Sequence, residues 1–149
     1  MTTVAYKDGI LACDSLVTDE NERMGAFSKI ARLPSGALFA MVGDLAQAQF
    51  FYEWAKGGFQ KDKYFNGLSN LATPSFTCVH ISKKGVVTEY NDSLIPVTYK
   101  AKAYAWGSGH AFALGRMDAP DGTAVQGIKT AKKFDVFTGG KIKTLSLEE

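Results

Sequence analysis

The sequence is poor in the residues that build disulfide frameworks and metal centres. Its 149 residues include only two cysteines and two histidines, and Cys13 and Cys78 stand in apolar, strand-like segments. Two such thiols favour reduced core residues over a disulfide or a metal pair. His80 and His110 are too isolated to complete a zinc site with them. The sequence therefore predicts no metal and no other cofactor.

An excess of one charge and long apolar runs are also lacking. Seventeen Lys and Arg stand against fifteen Asp and Glu, so the formal net charge is +2. This surplus is too small to predict binding to nucleic acid or to a membrane surface. No apolar run reaches the length of a membrane span, and the first residues lack the regions of a signal peptide. We therefore expect one cytoplasmic domain over residues 1–149, whose 46% hydrophobic residues can form its core.

Short apolar runs around turn sequences predict β-structure in the first third of the chain. Residues 3–6 pair with 10–13, and residues 28–33 pair with 37–42, because each pair flanks a turn sequence typical of a hairpin. Further strands are predicted in four segments of the same kind: 76–81, 86–90, 103–106 and 141–147.

Helices are predicted where apolar residues recur with the spacing of one helix face. Asp44 is a good N-cap for a helix that ends at residue 56. A short helix is predicted over residues 110–117, and Asp121 is a plausible cap for a helix over 123–134. Segregated runs of strands and helices favour an α+β protein over alternating parallel units.

Thr2 carries the sharpest chemical signal in the sequence. Methionine before a small residue is normally removed, which would leave Thr2 with a free α-amino group. A threonine hydroxyl needs an adjacent base to act as a nucleophile, and an α-amino group titrates at about 7.7–8.0, close enough to neutral pH to serve. One residue could thus supply both groups, although Met-Thr-Thr by itself is also a common start of unrelated proteins.

Five segments, in order along the chain, resemble proteasome β-type subunits and the related HslV peptidases. They are residues 2–15 with Thr18 after them, the segment 28–33, the segment 40–44, Gly107-Ser108-Gly109 with residues 112–115, and Asp135-Val136-Phe137-Thr138-Gly139-Gly140. In the last segment threonine stands where serine is usual. The resemblance implies the fold of N-terminal-nucleophile (Ntn) hydrolases: a four-layer αββα sandwich of two antiparallel sheets flanked by helices, here with a shortened helical layer.

The resemblance also implies catalytic roles. Thr2 would be the nucleophile and base, and Lys29 beside it would favour the neutral amine and the developing alkoxide. Asp14 would pair with Lys29 and orient it. The backbone N–H of Gly43 would donate to the oxyanion. Without the resemblance, Asp14 could cap a turn and Lys29 could point to solvent.

Three further residues would position the α-amino group by hydrogen bonds: Ser108, Asp135 and Thr138. Each also has a simpler interpretation. Ser108 between two glycines could belong to an ordinary turn, and Asp135 could end the preceding helix. Thr138 can replace a serine hydroxyl at the expense of an additional methyl group.

Four residues correspond to substrate-binding positions of the resembling family. Met41, two residues before Gly43, would line the main specificity pocket with Val17 and Phe27, and Thr18 would hydrogen-bond to the peptide backbone. An apolar pocket of this kind predicts cleavage after large hydrophobic or aromatic residues. Ordinary packing remains the alternative for all four.

The middle of the chain departs from the resembling family. Residues 57–75 are too short and irregular for the family's long second helix, which helps rings of subunits to stack, so a double ring and an ATPase unfoldase partner remain open questions. With no propeptide before Thr2, activation would depend on removal of Met1 alone.

Three functions therefore compete. The first is a threonine endopeptidase that acts on peptides or unfolded proteins as a ring-shaped homo-oligomer. The second is an Ntn amidase on small amides, and the third is a non-catalytic binding or assembly protein that retains Met1.

Overall fold

The structure, a computed structural model, describes residues 2–19, 22–59, 76–91 and 95–148. These residues form eleven strands and three helices. The strands are β1 (Thr3–Lys7), β2 (Ile10–Cys13), β3 (Leu16–Asp19), β4 (Glu22–Ala26), β5 (Ile30–Arg32), β6 (Leu38–Gly43), β7 (Phe76–Ile81), β8 (Val87–Tyr90), β9 (Val97–Thr98), β10 (Tyr104–Gly107) and β11 (Lys143–Ser146). The helices are α1 (Leu45–Lys56), α2 (His110–Met117) and α3 (Ala124–Phe134).

Two antiparallel sheets form the centre of the molecule. The four-stranded sheet has the order β10-β1-β2-β11, and the five-stranded sheet has the order β5-β6-β7-β8-β9. Strands β3 and β4 form a separate two-stranded hairpin. Both hairpins predicted from the first third of the chain are confirmed, since β1 pairs with β2 and β5 pairs with β6.

The alternation of side chains along each strand builds the layers. On β1, Val4 and Tyr6 lie in the apolar core between the two sheets, whereas Ala5 packs beneath α2 and α3 with Ile128. Successive side chains of a strand point to opposite faces, and β1 is buried from Thr3 to Tyr6 because both of its faces are covered.

Helices cover the outer faces of both sheets. On the five-stranded sheet, Phe39 and Met41 pack with Ala48 and Phe51 of α1, while α2 and α3 cover the four-stranded sheet. The resulting order of α1, sheet, sheet, and α2 with α3 confirms the predicted four-layer αββα sandwich. None of the described helices has both the length and the apolar character that crossing a membrane requires.

The cap of α3 differs from the prediction. The N-cap is Thr123, whose hydroxyl accepts the Gln126 N–H, while the Gln126 side chain accepts the Thr123 N–H. This reciprocal capping box satisfies two helix-end donors. Asp121 lies two residues before the cap and instead stands 3.6 Å from Arg116, so the prediction of Asp121 as cap is wrong.

Three further features can be compared with the sequence predictions: the cap of α1, the hairpin of β3 and β4, and the loop after α1. Asp44 caps α1 as expected, with its carboxylate accepting the Gln47 N–H. The hairpin of β3 and β4 was not predicted, because β4 is exposed along its whole length and has no apolar alternation. The predicted loop over residues 57–75 lies outside the described residues from position 60 onwards.

Candidate active site

A buried ion pair lies where β2 ends and β5 begins. The Lys29 ammonium donates to Oδ1 of Asp14 at 2.8 Å, and both side chains are 0% exposed. Lys29 also donates to the backbone carbonyl of Leu16 at 2.7 Å. Buried charges are costly unless they are paired and hydrogen-bonded, and this pair meets both conditions. Burial lowers the pKa of Lys29, and the charge of Asp14 acts in the opposite direction.

The Asp14 carboxylate also joins two separate segments of backbone. Its Oδ1 accepts the Thr3 N–H at 3.0 Å, and its Oδ2 accepts the Gly139 N–H at 3.0 Å. Oδ1 of Asp14 therefore accepts hydrogen bonds from both the Lys29 ammonium and the N–H of Thr3. This shared oxygen links the cation to the residue that follows Thr2 in the chain.

Thr2 itself is held by the segment that follows β10. Its carbonyl accepts the Ser108 N–H at 2.9 Å, and its side chain is buried. Gly107, with a φ of +100°, allows this approach, because a Cβ at that position would lie 1.6 Å from the Thr2 carbonyl oxygen. Only glycine fits at position 107 without moving Thr2.

The predicted residues Ser108, Asp135 and Thr138 meet Thr3 in what we call the hydroxyl cluster, which consists of these four residues. Ser108 and Thr138 each donate to Oδ2 of Asp135 at 2.6 Å, and the hydroxyls of Thr3 and Thr138 are 2.7 Å apart. Burial alone would raise the pKa of Asp135, but these hydrogen bonds and one from the Phe137 N–H outweigh it and hold the pKa below its ordinary value.

A cavity of about 320 Å³ opens beside Thr2, and we call it the Thr2 cavity. Its described lining residues come from the position before β1, from β3, from the end of β6, and from the N-cap and first turn of α1: Thr2, Leu16, Val17, Thr18, Asp19, Gly43, Asp44, Leu45 and Ala46. The structure thus brings the predicted residues Val17, Thr18 and Gly43 to the same cavity as Thr2.

Gly43 lies at the junction of β6 and α1. Its φ of +94° is in the left-handed region that glycine adopts most readily. Asp44 after it is the N-cap of α1, and the amino end of a helix favours negative charge nearby. A developing oxyanion in the cavity would benefit from this position.

Two predicted substrate-binding residues do not line the Thr2 cavity. Met41 is 2% exposed and packs with Phe51 in the core under α1. Phe27 is 36% exposed, and its N–H donates to the carbonyl of Ser15. Their roles in specificity stay predictions.

Three contributors to the site were not predicted from the sequence: Thr3, Leu16 and Gly139. The Thr3 hydroxyl accepts the Gly109 N–H at 3.1 Å and joins the hydroxyl cluster. The doubled threonine at positions 2 and 3 was a usable signal for it. Leu16 and Gly139 act through backbone atoms, which any residue carries, so the sequence holds no signal for their roles.

Metal ligation has no support from this geometry. Across the described ranges, no group of three or more His, Cys, Asp or Glu side chains is placed to share a metal ion. Cys13 and Cys78 are both buried free thiols, and burial raises the pKa of Cys13 to about 11.

Solved structures share this fold over nearly the whole chain. Thiobacillus denitrificans BPH in complex with epoxomicin has a TM-score of 0.72 at 20% identity, with 98% of each chain covered. A second structure of Thiobacillus denitrificans BPH gives 0.69 at 18% identity, covering 98% of this chain and 97% of that one. Eukaryotic HslV from Trypanosoma brucei gives 0.67 at 18% identity, covering 97% and 98%. No family model and no curated protein sequence matches the chain. The chain therefore has the HslV-like Ntn-hydrolase fold that the sequence resemblance implied.

Proposed function

We propose that this protein is an N-terminal threonine hydrolase that cleaves peptide bonds, with Thr2 as its nucleophile after Met1 is removed. The observation that carries the proposal is the buried pair of Lys29 and Asp14, whose shared oxygen also binds the Thr3 N–H. A buried ion pair is weak evidence for stability. A pair of this kind beside a threonine at a cavity is better explained by chemistry at that threonine.

The reaction begins with acyl transfer to Thr2. The α-amino group accepts the hydroxyl proton, and Oγ1 attacks the carbonyl carbon of the substrate. The Gly43 N–H donates to the oxyanion that forms. The amine then gives its proton to the leaving nitrogen as the C–N bond breaks, and the acyl group stays on Thr2 as an ester.

Water completes the cycle. The free α-amino group accepts a proton from water, whose oxygen attacks the ester carbonyl. The C–O bond to Thr2 breaks, Oγ1 regains a proton from the amine, and the carboxylic acid product leaves. Throughout, the Lys29 cation favours the neutral amine and stabilises the alkoxide.

The hydroxyl cluster has a positioning role in this proposal. Ser108 holds the Thr2 carbonyl through its N–H and holds Asp135 through its hydroxyl. Its two contacts therefore connect the Thr2 backbone to the carboxylate of the cluster. Small errors in the placement of a nucleophile reduce the rate strongly, so a rigid connection of this kind suits the chemistry.

One of the similar structures adds support of a different kind. Thiobacillus denitrificans BPH was solved in complex with epoxomicin. We propose that the Thr2 cavity accepts the same compound.

A peptide-hydrolysis assay tests this function. Wild type should cleave a set of short fluorogenic peptides, Thr2→Ser should retain part of the activity, and Thr2→Ala should lose at least about a thousandfold, because the nucleophile is gone. The matched control is Thr144→Ala, the same substitution at an exposed position of β11, which should keep full activity. Equal cleavage by Thr2→Ala and wild type would refute the proposal.

The second candidate is an Ntn amidase that acts on small amides through the same residue. It is favoured by the volume of the Thr2 cavity, about 320 Å³, which lies at the lower end of the range of about 300–1,000 Å³ for small-molecule sites. Hydrolysis of simple acyl amides at a higher kcat/KM than any peptide would select this candidate.

We further propose that the chain forms a ring-shaped homo-oligomer. The outer helical layer carries exposed apolar side chains: Phe112 and Phe134 stack with centroids 5.7 Å apart, and Val136 is 74% exposed. Contiguous exposed apolar surface is typical of contact sites. Native mass spectrometry should give a closed assembly of several subunits, and replacing Phe112 and Phe134 with serine should dissociate it. A monomeric wild type would refute the ring.

A further inference from the structure

We infer that the Thr2 cavity selects substrates with a basic side chain, lysine or arginine, close to the bond that is cleaved. This inference rests on the proposed function and names the substrate class of the same site. Among the described lining residues the charged side chains are Asp19 and Asp44, and both are acidic. They come from two different elements: Asp19 ends β3, and Asp44 is the N-cap of α1.

The remaining walls suit the stem of a basic side chain. Leu16, Val17, Leu45 and Ala46 line the same cavity with aliphatic groups. Lysine and arginine bury their methylene stems against apolar surface while the charged end reaches polar groups. A cavity with aliphatic walls and carboxylates therefore fits a lysine or arginine side chain better than it fits a purely apolar or an acidic side chain.

In the part of the chain that the structure describes, neither Asp19 nor Asp44 forms an ion pair. Asp19 lies directly opposite Glu22 in the register of β3 and β4, and like charges in that position repel each other. Within the described ranges, the ion pairs are Lys29–Asp14, Lys56–Glu53 and Arg116–Asp121, and none involves Asp19 or Glu22. A substrate cation would relieve this repulsion.

The basic residue of the described hairpin, Arg23, lies opposite Thr18 in the register. Its side chain is therefore on the face of Thr18 and not on that of Asp19 and Glu22. It is not a lining residue of the cavity.

Asp44 combines two roles. One carboxylate oxygen, Oδ1, accepts the Gln47 N–H at 3.0 Å and caps α1. The negative charge remains at the cavity whichever oxygen carries the hydrogen bond. Asparagine caps a helix about as well as aspartate, so Asp44→Asn removes the charge and keeps the cap.

This inference differs from the apolar selectivity expected from Met41, which stays a separate prediction. Met41 packs in the core under α1 and does not line the Thr2 cavity. The charged residues that do line the cavity, Asp19 and Asp44, favour a basic substrate side chain instead.

The test uses three fluorogenic peptides that differ at one position, which carries lysine, norleucine or glutamate. Wild type should show the highest kcat/KM for lysine and the lowest for glutamate. Asp19→Asn and Asp44→Asn should each lower the lysine-to-glutamate ratio by about two- to fivefold, the range expected for exposed charge pairs. The ratio also cancels any loss of activity common to all three peptides.

Glu53→Gln is the matched control, because Glu53 is an exposed carboxylate of α1 that pairs with Lys56 outside the cavity. It removes the same charge and should leave the ratio unchanged. Added salt should reduce the lysine preference of wild type and should have less effect on Asp19→Asn, since exposed charges are screened.

Two results would overturn the inference. If all three peptides are cleaved at the same kcat/KM and the cleavage depends on Thr2, the selectivity is wrong while the proposed hydrolase function stands. If wild type cleaves none of them faster than Thr2→Ala, the proposed function and the inference fall together.

Discussion

The residues on the interior side of Thr2 differ from those on its cavity side in burial and in hydrogen bonding. On the interior side, Asp14 and Lys29 are completely buried, and side-chain hydrogen bonds connect the members of the hydroxyl cluster. On the cavity side, β3 and β4 form a two-stranded hairpin in which β4 is exposed along its whole length. The interior side can therefore fix the reacting group, while the hairpin side can change its side chains at little risk to folding.

Under the proposed function, this difference predicts that substitutions can change chemistry and selectivity separately. A residue of the interior side should affect both stability and activity, because its hydrogen bonds hold the fold and Thr2 together. A residue of the hairpin should affect substrate preference and leave stability nearly unchanged, as surface substitutions usually do. Three substitutions on the interior side, two of them with a matched control variant, break or sharpen this contrast.

Lys29→Ala should give the largest effect. It leaves the Asp14 carboxylate buried without its cation, and breaking a buried pair costs about 3–5 kcal/mol of the free energy of unfolding. Chemical denaturation measures the loss. Lys56→Ala removes the same side chain from an exposed pair with Glu53 and should cost under about 1 kcal/mol. Equal losses in the two variants would show that burial of the pair does not matter.

Gly107→Ala should have the second-largest effect. The new Cβ would meet the Thr2 carbonyl oxygen at 1.6 Å, so Thr2 must move or the strand must shift. The strained backbone alone costs about 1–3 kcal/mol, and the clash adds to it.

Gly9→Ala separates these two contributions. Gly9 has a φ of +80°, but a Cβ there would meet nothing within 4 Å. Its loss of stability, measured by denaturant midpoint, should be clearly smaller than that of Gly107→Ala, and its peptidase activity should be normal. Similar activity in both variants would contradict the close fit between Gly107 and Thr2.

Asp135→Asn should give the smallest and the most pH-dependent effect. The pKa of Asp135 is lowered in the folded state by the bonds from Ser108 and Thr138. Near pH 4, the ordinary pKa of an aspartate, residue 135 therefore binds more protons in the unfolded chain than in the folded one. Its contribution to stability is present above about pH 4 and is lost as the pH falls through the lower pKa of the folded state.

Denaturation of wild type and Asp135→Asn between pH 7 and pH 3 checks this sign. Wild type should be the more stable protein at pH 7, and the two curves should converge at the acidic end. A difference that stays constant over the range would contradict the hydrogen-bonded, ionised state of Asp135.

The resemblance to proteasome β-type and HslV segments identified Asp14, Lys29, Ser108 and Thr138, whereas composition and periodicity alone did not. The structure places Asp14 and Lys29 in one buried pair and Ser108 and Thr138 on Asp135, and their catalytic roles stay predictions. The Leu16 carbonyl and the Gly139 N–H contribute through the backbone, and no residue type marks such a role.

Some strands of the fold were likewise predictable from the sequence, and others were not. Strands with both faces covered, such as β1 and β6, were predictable from apolar runs because burial demands them. The exposed strand β4 was not, since solvent places no pattern on its side chains. Met41 was assigned to a specificity pocket by the resemblance alone, and the structure packs its side chain with Phe51 under α1, a contact that no pattern in the sequence indicated.

The central claim is that the buried interior side holds a reactive Thr2, and the intact mass of the natively expressed protein tests it most directly. The account predicts loss of Met1 and the addition of one molecule of a peptide epoxyketone to wild type, with no addition to Thr2→Ala. A protein that retains Met1 and takes up no inhibitor would contradict the account and would favour a non-catalytic binding protein with this fold.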